Sequence, residues 1–405
     1  MKVLLVHGRY RSEAPSGENH VVDQEAEQLR AAGHHVAHFE RRSDDIATWS
    51  LQRKAGLPVR SIWDEQVRRE LVRSLEADRP DVVHIHNTFP LLSASVLYAC
   101  RDVGVPVVVT LHNYKLLCAS GDFFREGAPC HACARGSGLP GLIHGCYRGS
   151  RAATLPVVLG NAINRQAWRH LVSAYIFVSA AQRELMAALE LPADRVFVKH
   201  NFVPPGPEPE LSREHRVAYV GRLDAAKGLP LLMRSWDLFR SQNVDSRLQL
   251  VIAGGGPLES QVRSWAERHG TVTVAGLLPR TDAQTLLSRS LAAVVPSQWE
   301  ETFGLVAVEA MAAGVAPVAP ASGSFPELIN DRVDGVLFRA GDRSALAREL
   351  AHIDRDPWGA VAIGERARSS YHHRFSPEDN VARLLDIYRF VSTNPLDREE
   401  VARQR

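Results

Sequence analysis

The sequence predicts an α/β protein of two domains, each a parallel sheet with covering helices. Three observations carry this. The chain has 405 residues, more than one typical hydrophobic core serves. Short apolar runs alternate along it with amphipathic stretches, the pattern of strands joined by crossover helices. A proline-rich segment, Phe202-Val203-Pro204-Pro205-Gly206-Pro207-Glu208-Pro209, divides the chain near its middle and reads as a semi-rigid linker.

In chain order, the first-half strands are Val3–Val6, His35–His38, Val82–Ile85, Val107–Thr110 and Tyr175–Val178. Val21 to Ala32 and Trp63 to Leu75 read as helices, with Gly33 stopping the first. The second half offers strands Val217–Val220, Leu248–Ala253, Val272–Ala275, Ala292–Val295 and Val315–Val318. Val306 to Ala313 has helix-forming composition, and Gly314 suits the left-handed position past its end. Ser376-Pro377-Glu378-Asp379 caps a last helix, in which Val381, Leu384, Leu385 and Tyr388 recur at helical spacing. Thr393 to Arg405 is charged, lacks a periodic face and reads as a tail. The expected division is 1–200, 201–375 and a terminal helix and tail at 376–405.

Composition excludes several classes. Hydrophobic residues make up 45% and charged residues 23%, ordinary for a soluble globular enzyme. With 48 basic and 46 acidic residues the net charge is +2, so no global attraction to nucleic acid or membrane follows. Met1 to Gly8 reads as a buried strand and turns polar too soon for a signal peptide. No window offers ~18 uninterrupted apolar residues. A cytoplasmic protein is expected, with the inner face of a membrane as an alternative site.

Chemistry concentrates in the second half. Glu301 and Glu309 stand eight apart around Thr302-Phe303-Gly304, between a buried strand and a helix. Five residues past Gly304, Glu309 lies ~7.5 Å along the helix axis at ~1.5 Å per residue. The amides of Phe303, Gly304 and Leu305 start the helix and favour anions. An anion flanked by two hydroxyl-binding carboxylates describes a nucleotide-sugar: sugar, diphosphate, ribose. Gly221-Arg222-Leu223-Asp224-Ala225-Ala226-Lys227-Gly228 follows another strand, with a forked donor in Arg222 and a point charge in Lys227. Val251-Ile252-Ala253-Gly254-Gly255-Gly256-Pro257 is a strand with a glycine turn, and Gly276-Leu277-Leu278-Pro279 a loop after the next strand. Solvated loop bases and exposed helix-end acids are the plain alternatives.

In the first half, Val107 to Asn113 ends a buried strand in His112, where open α/β sheets bind ligands. His84-Ile85-His86-Asn87 ends a neighbouring strand similarly, and alternation sends both histidines to one side. Acceptor contacts, packing or a two-histidine metal site are the readings. Gly17 lets backbone approach a phosphate without a side chain. Cys118, Cys130, Cys133 and Cys146 form C-x11-C-x2-C-x12-C, with Cys100 apart. In a cytoplasmic chain this suggests a structural zinc knuckle holding an insert at about 118–146; free thiols or a redox pair are the alternatives. Arg148, Arg151, Arg165 and Arg169 flank Leu155, Val157, Val158, Leu159 and Trp168. That face could rest weakly on anionic lipid or be ordinary surface.

The Glu301–Gly314 run resembles the E-x7-E signature of retaining glycosyltransferases of family 4 (glycosyltransferase group 1), which have the GT-B architecture. The other motifs fall in that family's order, so the resemblance covers most of the chain. It implies two Rossmann-like domains facing a cleft, with the terminal helix crossing back to the first. It implies Gly221, Arg222, Lys227, Gly254, Leu277 and the Glu301–Leu305 segment around the donor, and Glu309 on both ribose hydroxyls. Gly17 would approach the donor phosphates from the other domain. His112 would lie near the reacting carbon, acting with Glu301, Arg222 and Lys227. The donor would be a nucleoside-diphosphate sugar and the acceptor a hydroxyl of a glycan, lipid-linked sugar or small molecule. No catalytic metal is expected, since no Asp-x-Asp stands where one could clamp a diphosphate. A nucleotide-sugar epimerase, a phosphorylase or a non-catalytic binding subunit would be alternatives on the same fold.

Overall fold

A computed structural model of the chain describes residues 1–10, 12, 16–207 and 213–396. Glu208 and Pro209 of the linker, and residues 397–405 of the tail, lie outside the described residues. The chain forms two compact units, one of Met1–Phe123, Cys130–His200 and Glu378–Arg405, the other of Phe124–Pro129 and Asn201–Pro377.

The first unit holds a six-stranded sheet: β1 (Lys2–Arg9), β2 (His35–Arg42), β3 (Val82–Asn87), β4 (Val107–Leu111), β7 (Ala174–Phe177) and β8 (Val196–Val198). A two-stranded hairpin, β5 (Phe124–Arg125) and β6 (Ala128–Pro129), stands apart from it. The sheet order is β2-β1-β3-β4-β7-β8 and every pair is parallel, with Val3 opposite Val36 on one side and Val82 on the other. Alternation divides the strands between two cores, as sheets covered on both faces require. Leu4, Val6, Val83, Ile85, Val107 and Val109 join Leu71, Leu75 and Leu97 on one face. Val3, Leu5, Val82, Val108 and Ile176 meet Val22, Ala26 and Leu29 of the helix Gly17–Ala31 on the other. The last helix, Pro377–Thr393, places Leu384, Ile387, Tyr388 and Val391 in that same core. The chain thus returns to its first unit, as the resemblance implies.

The second unit holds β9 (Arg216–Val220), β10 (Gln249–Ala253), β11 (Val272–Gly276), β12 (Ala292–Val294), β13 (Ala316–Pro320) and β14 (Val336–Phe338). Its order, β11-β10-β9-β12-β13-β14, is again wholly parallel and is that of a dinucleotide-binding fold. The core gathers Val217, Leu250, Ile252, Val294 and Val318 around Trp236 and Phe239.

Helix ends follow local chemistry. After the helix Leu305–Ala312, Gly314 takes φ 69°; its N–H meets the Met311 carbonyl at 2.9 Å and that of Val315 meets Ala310 at 2.8 Å. Gly33 closes Gly17–Ala31 in the same way, with φ 82°. That helix begins four residues before the expected Val21, because polar Glu18, Asn19 and His20 hide its first turn. The three-residue strands β8 and β14 are too short to show alternation and were not expected.

Candidate active site

In the second unit the strand order reverses between β9 and β12, and open sheets bind ligands outside the carboxyl ends at such a point. β9 runs into Gly221–Gly228, β10 into Gly254–Gly256 and β12 into Val295–Gly304. These loops pack backbone on backbone. A Cβ on Gly254 would lie 1.8 Å from the Gly221 carbonyl oxygen, and one on Gly228 1.8 Å from that of Pro296. Glycine at these two places is therefore a condition of the loops meeting.

Side chains converge on the same edge. Lys227 Nζ donates to Glu301 Oε1 at 2.6 Å, and Ser297 Oγ donates to that oxygen at 2.7 Å. Lys227 Nζ also lies 5.0 Å from the Trp299 ring centre. Asp224 turns the loop by accepting from the Lys227 amide at 2.8 Å, and it pairs with the Arg222 guanidinium. Arg222 keeps 62% of its side chain exposed, so its second edge faces solvent. Glu301 is 4% exposed and Thr302 and Phe303 are buried behind it. Gly304, with φ 85°, precedes the Leu305–Ala312 helix, and a Cβ there would strike Phe325 at 2.6 Å. Glu309 sits 3.9 Å from Arg280, and burial raises its carboxyl above the usual range. Leu277 is 66% exposed beyond Gly276.

The first unit's sheet reverses between β1 and β3, and there a buried polar network forms. Glu25, from the inner face of the Gly17–Ala31 helix, places Oε1 3.0 Å from His84 Nδ1 and 3.4 Å from His86 Nε2. Its other oxygen is 3.7 Å from Lys199 Nζ, which donates to Asn380 Oδ1 at 2.7 Å. His84 also meets Tyr388 Oη and Thr110 Oγ1, each at 2.8 Å. His86 Nδ1 lies 2.9 Å from His112 Nε2, with the rings stacked. His7 Nε2 meets Asn19 Oδ1 at 2.8 Å.

Burial holds His7 and His86 down to about 4, and pushes His112 well below the ordinary histidine value. Burial opposes the charge on Glu25, but His84 and His86 outweigh it and hold the carboxyl low. A neutral His86 facing an ionised Glu25 carries its proton on Nε2. Nδ1 then accepts from His112 Nε2–H, and His112 Nδ1 is left as an acceptor. The ligand atoms of Glu25, His84 and His86 lie within 4.8 Å of one another, a set that could hold a cation. Lys199 on the same carboxylate supplies that positive charge from within the chain.

Gly17 is the first residue of its helix. Next to it, Glu18 meets Asn113 Nδ2 at 3.2 Å and Tyr10 Oη at 3.4 Å, and burial pushes its carboxyl up to about 8. Burial draws nearby Lys115 down to about 8; its ammonium lies 4.9 and 4.8 Å from the Phe89 and Tyr147 ring centres. Of the cysteines, Cys118 and Cys133 are buried, and Cys130 and Cys146 half-buried. Burial raises the Cys133 thiol, with the other three close enough to raise it further.

Glu25, Lys199 and Asn380 were absent from the sequence reading, and Tyr388 entered it only as a core position of the last helix. The usable signal was Glu25, an acid on the buried stripe of Val21, Val22, Ala26 and Leu29. Asp224, inside the Gly221–Gly228 run but given no role there, and Ser297 support the donor-side pair.

Two units, each a parallel sheet with covering helices, make the pair of Rossmann-like domains of the GT-B class of sugar-transferring enzymes, and its solved members superpose on the chain. HepE from Anabaena in complex with UDP superposes with TM-score 0.66 over 95% of this chain and 99% of its own, at 17% identity. Sucrose-phosphate synthase from Thermosynechococcus elongatus gives 0.68 over 97% and 99%, at 18% identity. At such identities the likeness shows the fold. Residues 207–370 match the family model "Glycosyl transferases group 1" and residues 16–201 the "Glycosyl transferase 4-like domain". The chain belongs to the group 1 glycosyltransferases of family 4. Alpha-maltose-1-phosphate synthase of Mycolicibacterium smegmatis is 28% identical over 78% of this chain and 80% of its own length. D-inositol 3-phosphate glycosyltransferase of Corynebacterium kroppenstedtii is 31% identical over 42% of this chain, a match spanning only 40% of that relative.

Proposed function

We propose that this glycosyltransferase moves a hexose-type sugar from a nucleoside diphosphate to a hydroxyl acceptor, with retention and without a catalytic metal. Residues 201–375 act as the donor domain and 1–200 as the acceptor-side domain. The observation that carries the reading is the Lys227–Glu301 pair at the β9/β12 switch point, beside the start of the helix that bears Glu309.

Transfer builds negative charge on the bridging oxygen of the departing diphosphate. Lys227 and the outer edge of Arg222 are the cations placed to meet it, with Gly221, Gly254 and Gly17 allowing close backbone approach. Charge-assisted hydrogen bonds of this kind contribute ~1.5–3 kcal/mol each. Thr302, Phe303, Gly304 and Leu305 present the helix start to the diphosphate. Glu309 accepts from both ribose hydroxyls, Glu301 from hydroxyls of the transferred sugar, and Leu277 borders the base. His112, fixed by His86 as an Nδ1 acceptor, receives a sugar hydroxyl near the reacting carbon. Retention then proceeds by front-face attack, the leaving phosphate oxygen taking the acceptor's proton, so no carboxylate serves as nucleophile. With Lys227, Arg222 and the helix dipole to neutralise the diphosphate, transfer needs no metal held by an Asp-x-Asp.

Incubation with uridine-, guanosine-, adenosine- and thymidine-diphosphate sugars, followed by mass spectrometry, tests this. The UDP complex of HepE makes uridine donors the first choice. Release of nucleoside diphosphate with one donor, lost in Arg222→Ala and Glu301→Ala, is expected. An epimerised sugar, or turnover that needs phosphate, would replace the transferase reading.

We also propose that Cys118, Cys130, Cys133 and Cys146 hold a structural zinc ion. Cys118, Cys130 and Cys146 all lie near enough to the buried Cys133 to act on its thiol, but no three of the four sulfurs stand within 4.8 Å of one another, so a closed four-sulfur site would form by the thiols drawing together on the ion. About one zinc per chain by elemental analysis, lost in Cys133→Ser, is expected; a metal-free protein of unchanged stability would exclude it.

A further inference from the structure

The helix Arg151–Ile163 is inverted for a surface helix. Its exposed positions are Arg151, Ala152, Leu155, Leu159, Ala162 and Ile163, so its outward face is a stripe of aliphatic side chains. Helices in water present polar residues outward and bury such stripes. Two more helices, Leu57–Ile62 and Leu139–His144, pack against it. Asn164 Nδ2 bonds the Ile62 carbonyl at 3.1 Å, and a Cβ on Gly160 would rest 3.6 Å from Ile62. Val59, Leu139 and Ile143 are exposed on those helices. With Leu155, Leu159 and Ile163 they account for six of the twelve exposed large hydrophobics among the described residues. A cluster on three touching helices is a patch, unlike scattered single apolar residues.

Charge is segregated in the same segments. Residues 51–63 and 127–170 contain no Asp or Glu but carry Arg53, Lys54, Arg60, Arg135, Arg148 and Arg151, in a chain otherwise nearly balanced. Arg165 and Arg169, expected on this face, instead pair with Glu190 at 3.2 and 3.4 Å, and Val157 and Trp168 pack inward. The face is thus Leu155, Leu159, Ile163 and their neighbours, with Arg60 and Arg148 on the same acid-free segments and Arg151 at the helix start, where its Nε donates to the Ile143 carbonyl at 2.8 Å.

We propose that this face docks on an anionic lipid bilayer, with the Arg151–Ile163 helix lying in the interface. An apolar stripe with cations at its margin and no acid matches the boundary between acyl chains and anionic headgroups. A second copy of this chain would set cations against cations, which disfavours self-association. No helix among the described residues is long and apolar enough to cross a membrane, so contact would be peripheral. The inference stands independently of the sugar-transfer chemistry.

Flotation of the full chain with phosphatidylcholine vesicles, with and without roughly a third phosphatidylglycerol, decides it. Binding to the anionic vesicles is expected, weakened by 0.5 M salt and about ten-fold or more by Leu155→Glu with Leu159→Glu. Arg60→Ser with Arg148→Ser should lower it roughly 25-fold, about five-fold per cation. All four positions are at or near the surface, and unchanged melting temperatures confirm folding. If the first variant fails to fold, the second carries the test alone. Equal binding to both vesicle types, none to either, or a dimer dissolved by the glutamate variant would overturn the proposal.

Discussion

Both sheets are six-stranded and wholly parallel, with one reversal of strand order each, but they differ in order and build their switch points from different material. In the second unit the edge is made of backbone: glycines bring three loops into contact, and few side chains, chiefly Lys227, Arg222 and Glu301, are set upon it. In the first unit the edge is made of side chains. Glu25, His84, His86, Thr110, His112, Lys199, Asn380 and Tyr388 come from five separate stretches of chain and meet one another in the interior. A backbone edge with cations suits a ligand that brings its own negative charge. A hydrogen-bonded edge whose buried Glu25 and Lys199 offset each other suits hydroxyl groups.

The largest predicted effect breaks the backbone edge. Gly254→Ala puts a methyl 1.8 Å from the Gly221 carbonyl oxygen, a main-chain atom and not the flexible end of a side chain. A loss of more than about 3 kcal/mol in urea unfolding is expected, together with loss of nucleoside-diphosphate binding by calorimetry. Gly149→Ala in the first unit is the control: its φ is also positive, at 65°, but nothing lies within 4 Å. It should cost only about 1–2 kcal/mol, for the left-handed backbone. Equal losses would mean that close packing is not what the second unit's glycines serve.

Next is the donor-side pair. Lys227→Ala should lower kcat/KM by about 10²–10³, as loss of a donor aimed at developing charge does. It also leaves Glu301 buried beside Ser297 alone. Glu301→Gln removes that unpaired charge, so the double variant should be more stable than the two single losses predict, by about 1–3 kcal/mol in a thermodynamic cycle. Additive losses would show that the two side chains do not act on each other.

The histidines distinguish the units by pH. A histidine whose folded value is about 4 stays neutral in the native state, while the unfolded chain takes up a proton below about 6.5. His7 and His86 therefore each withdraw stability as pH falls from about 6.5 toward 4, at up to about 1.4 kcal/mol per pH unit. Glu18 acts in the opposite sense: held at about 8, its carboxyl favours the fold increasingly as pH falls from 8 toward 4.5. The clean readout is a difference. His86→Asn, which keeps polar contact with Glu25, Lys199, His84 and His112, should flatten the unfolding free energy between pH 6.5 and 4 by roughly one proton's slope. An unchanged slope would place the titrating group elsewhere.

These contrasts also set what was legible in the sequence. The backbone edge was readable because glycine reports on geometry: Gly221 and Gly254 mark strand-to-loop junctions, and Gly228 and Gly304 mark loop-to-helix junctions. Glu301 and Glu309 were readable from their spacing across the Thr302–Gly304 turn, Glu301 before the helix and Glu309 within it. The side-chain edge was only half readable. His84 and His86 on one strand face followed from alternation, and His112 from its place after a buried strand. Their partners were not, since Lys199 and Tyr388 reach the network only through tertiary packing, and no local spacing links Glu25 to a strand some sixty residues on. The apolar face at Arg151–Ile163 was misdrawn for a related reason. Composition located it, but helical phase and the acid at Glu190 decide which cations remain outward.

The smallest effect sharpens the comparison most. Tyr388→Phe and Tyr371→Phe each remove one buried hydroxyl. Tyr388 loses a bond to His84 Nδ1 at 2.8 Å, and Tyr371 one donated to the Val203 carbonyl at 2.8 Å. Each should lower stability by about 0.5–1.5 kcal/mol, the usual net value of one hydrogen bond. Tyr371 leaves a main-chain carbonyl without its partner, so its loss should sit at the upper end. In Tyr388→Phe, Glu25 stays 3.0 Å from the same imidazole nitrogen, so the loss should sit at the lower end. Yet it should be the variant that steepens or shallows the acid limb, because it alters the hydrogen bonding that holds Glu25 ionised. Were both variants equal in stability and identical in pH profile, the first unit's polar interior would be packing rather than a tuned network. His112 would then owe its tautomer to something other than this chain of hydrogen bonds.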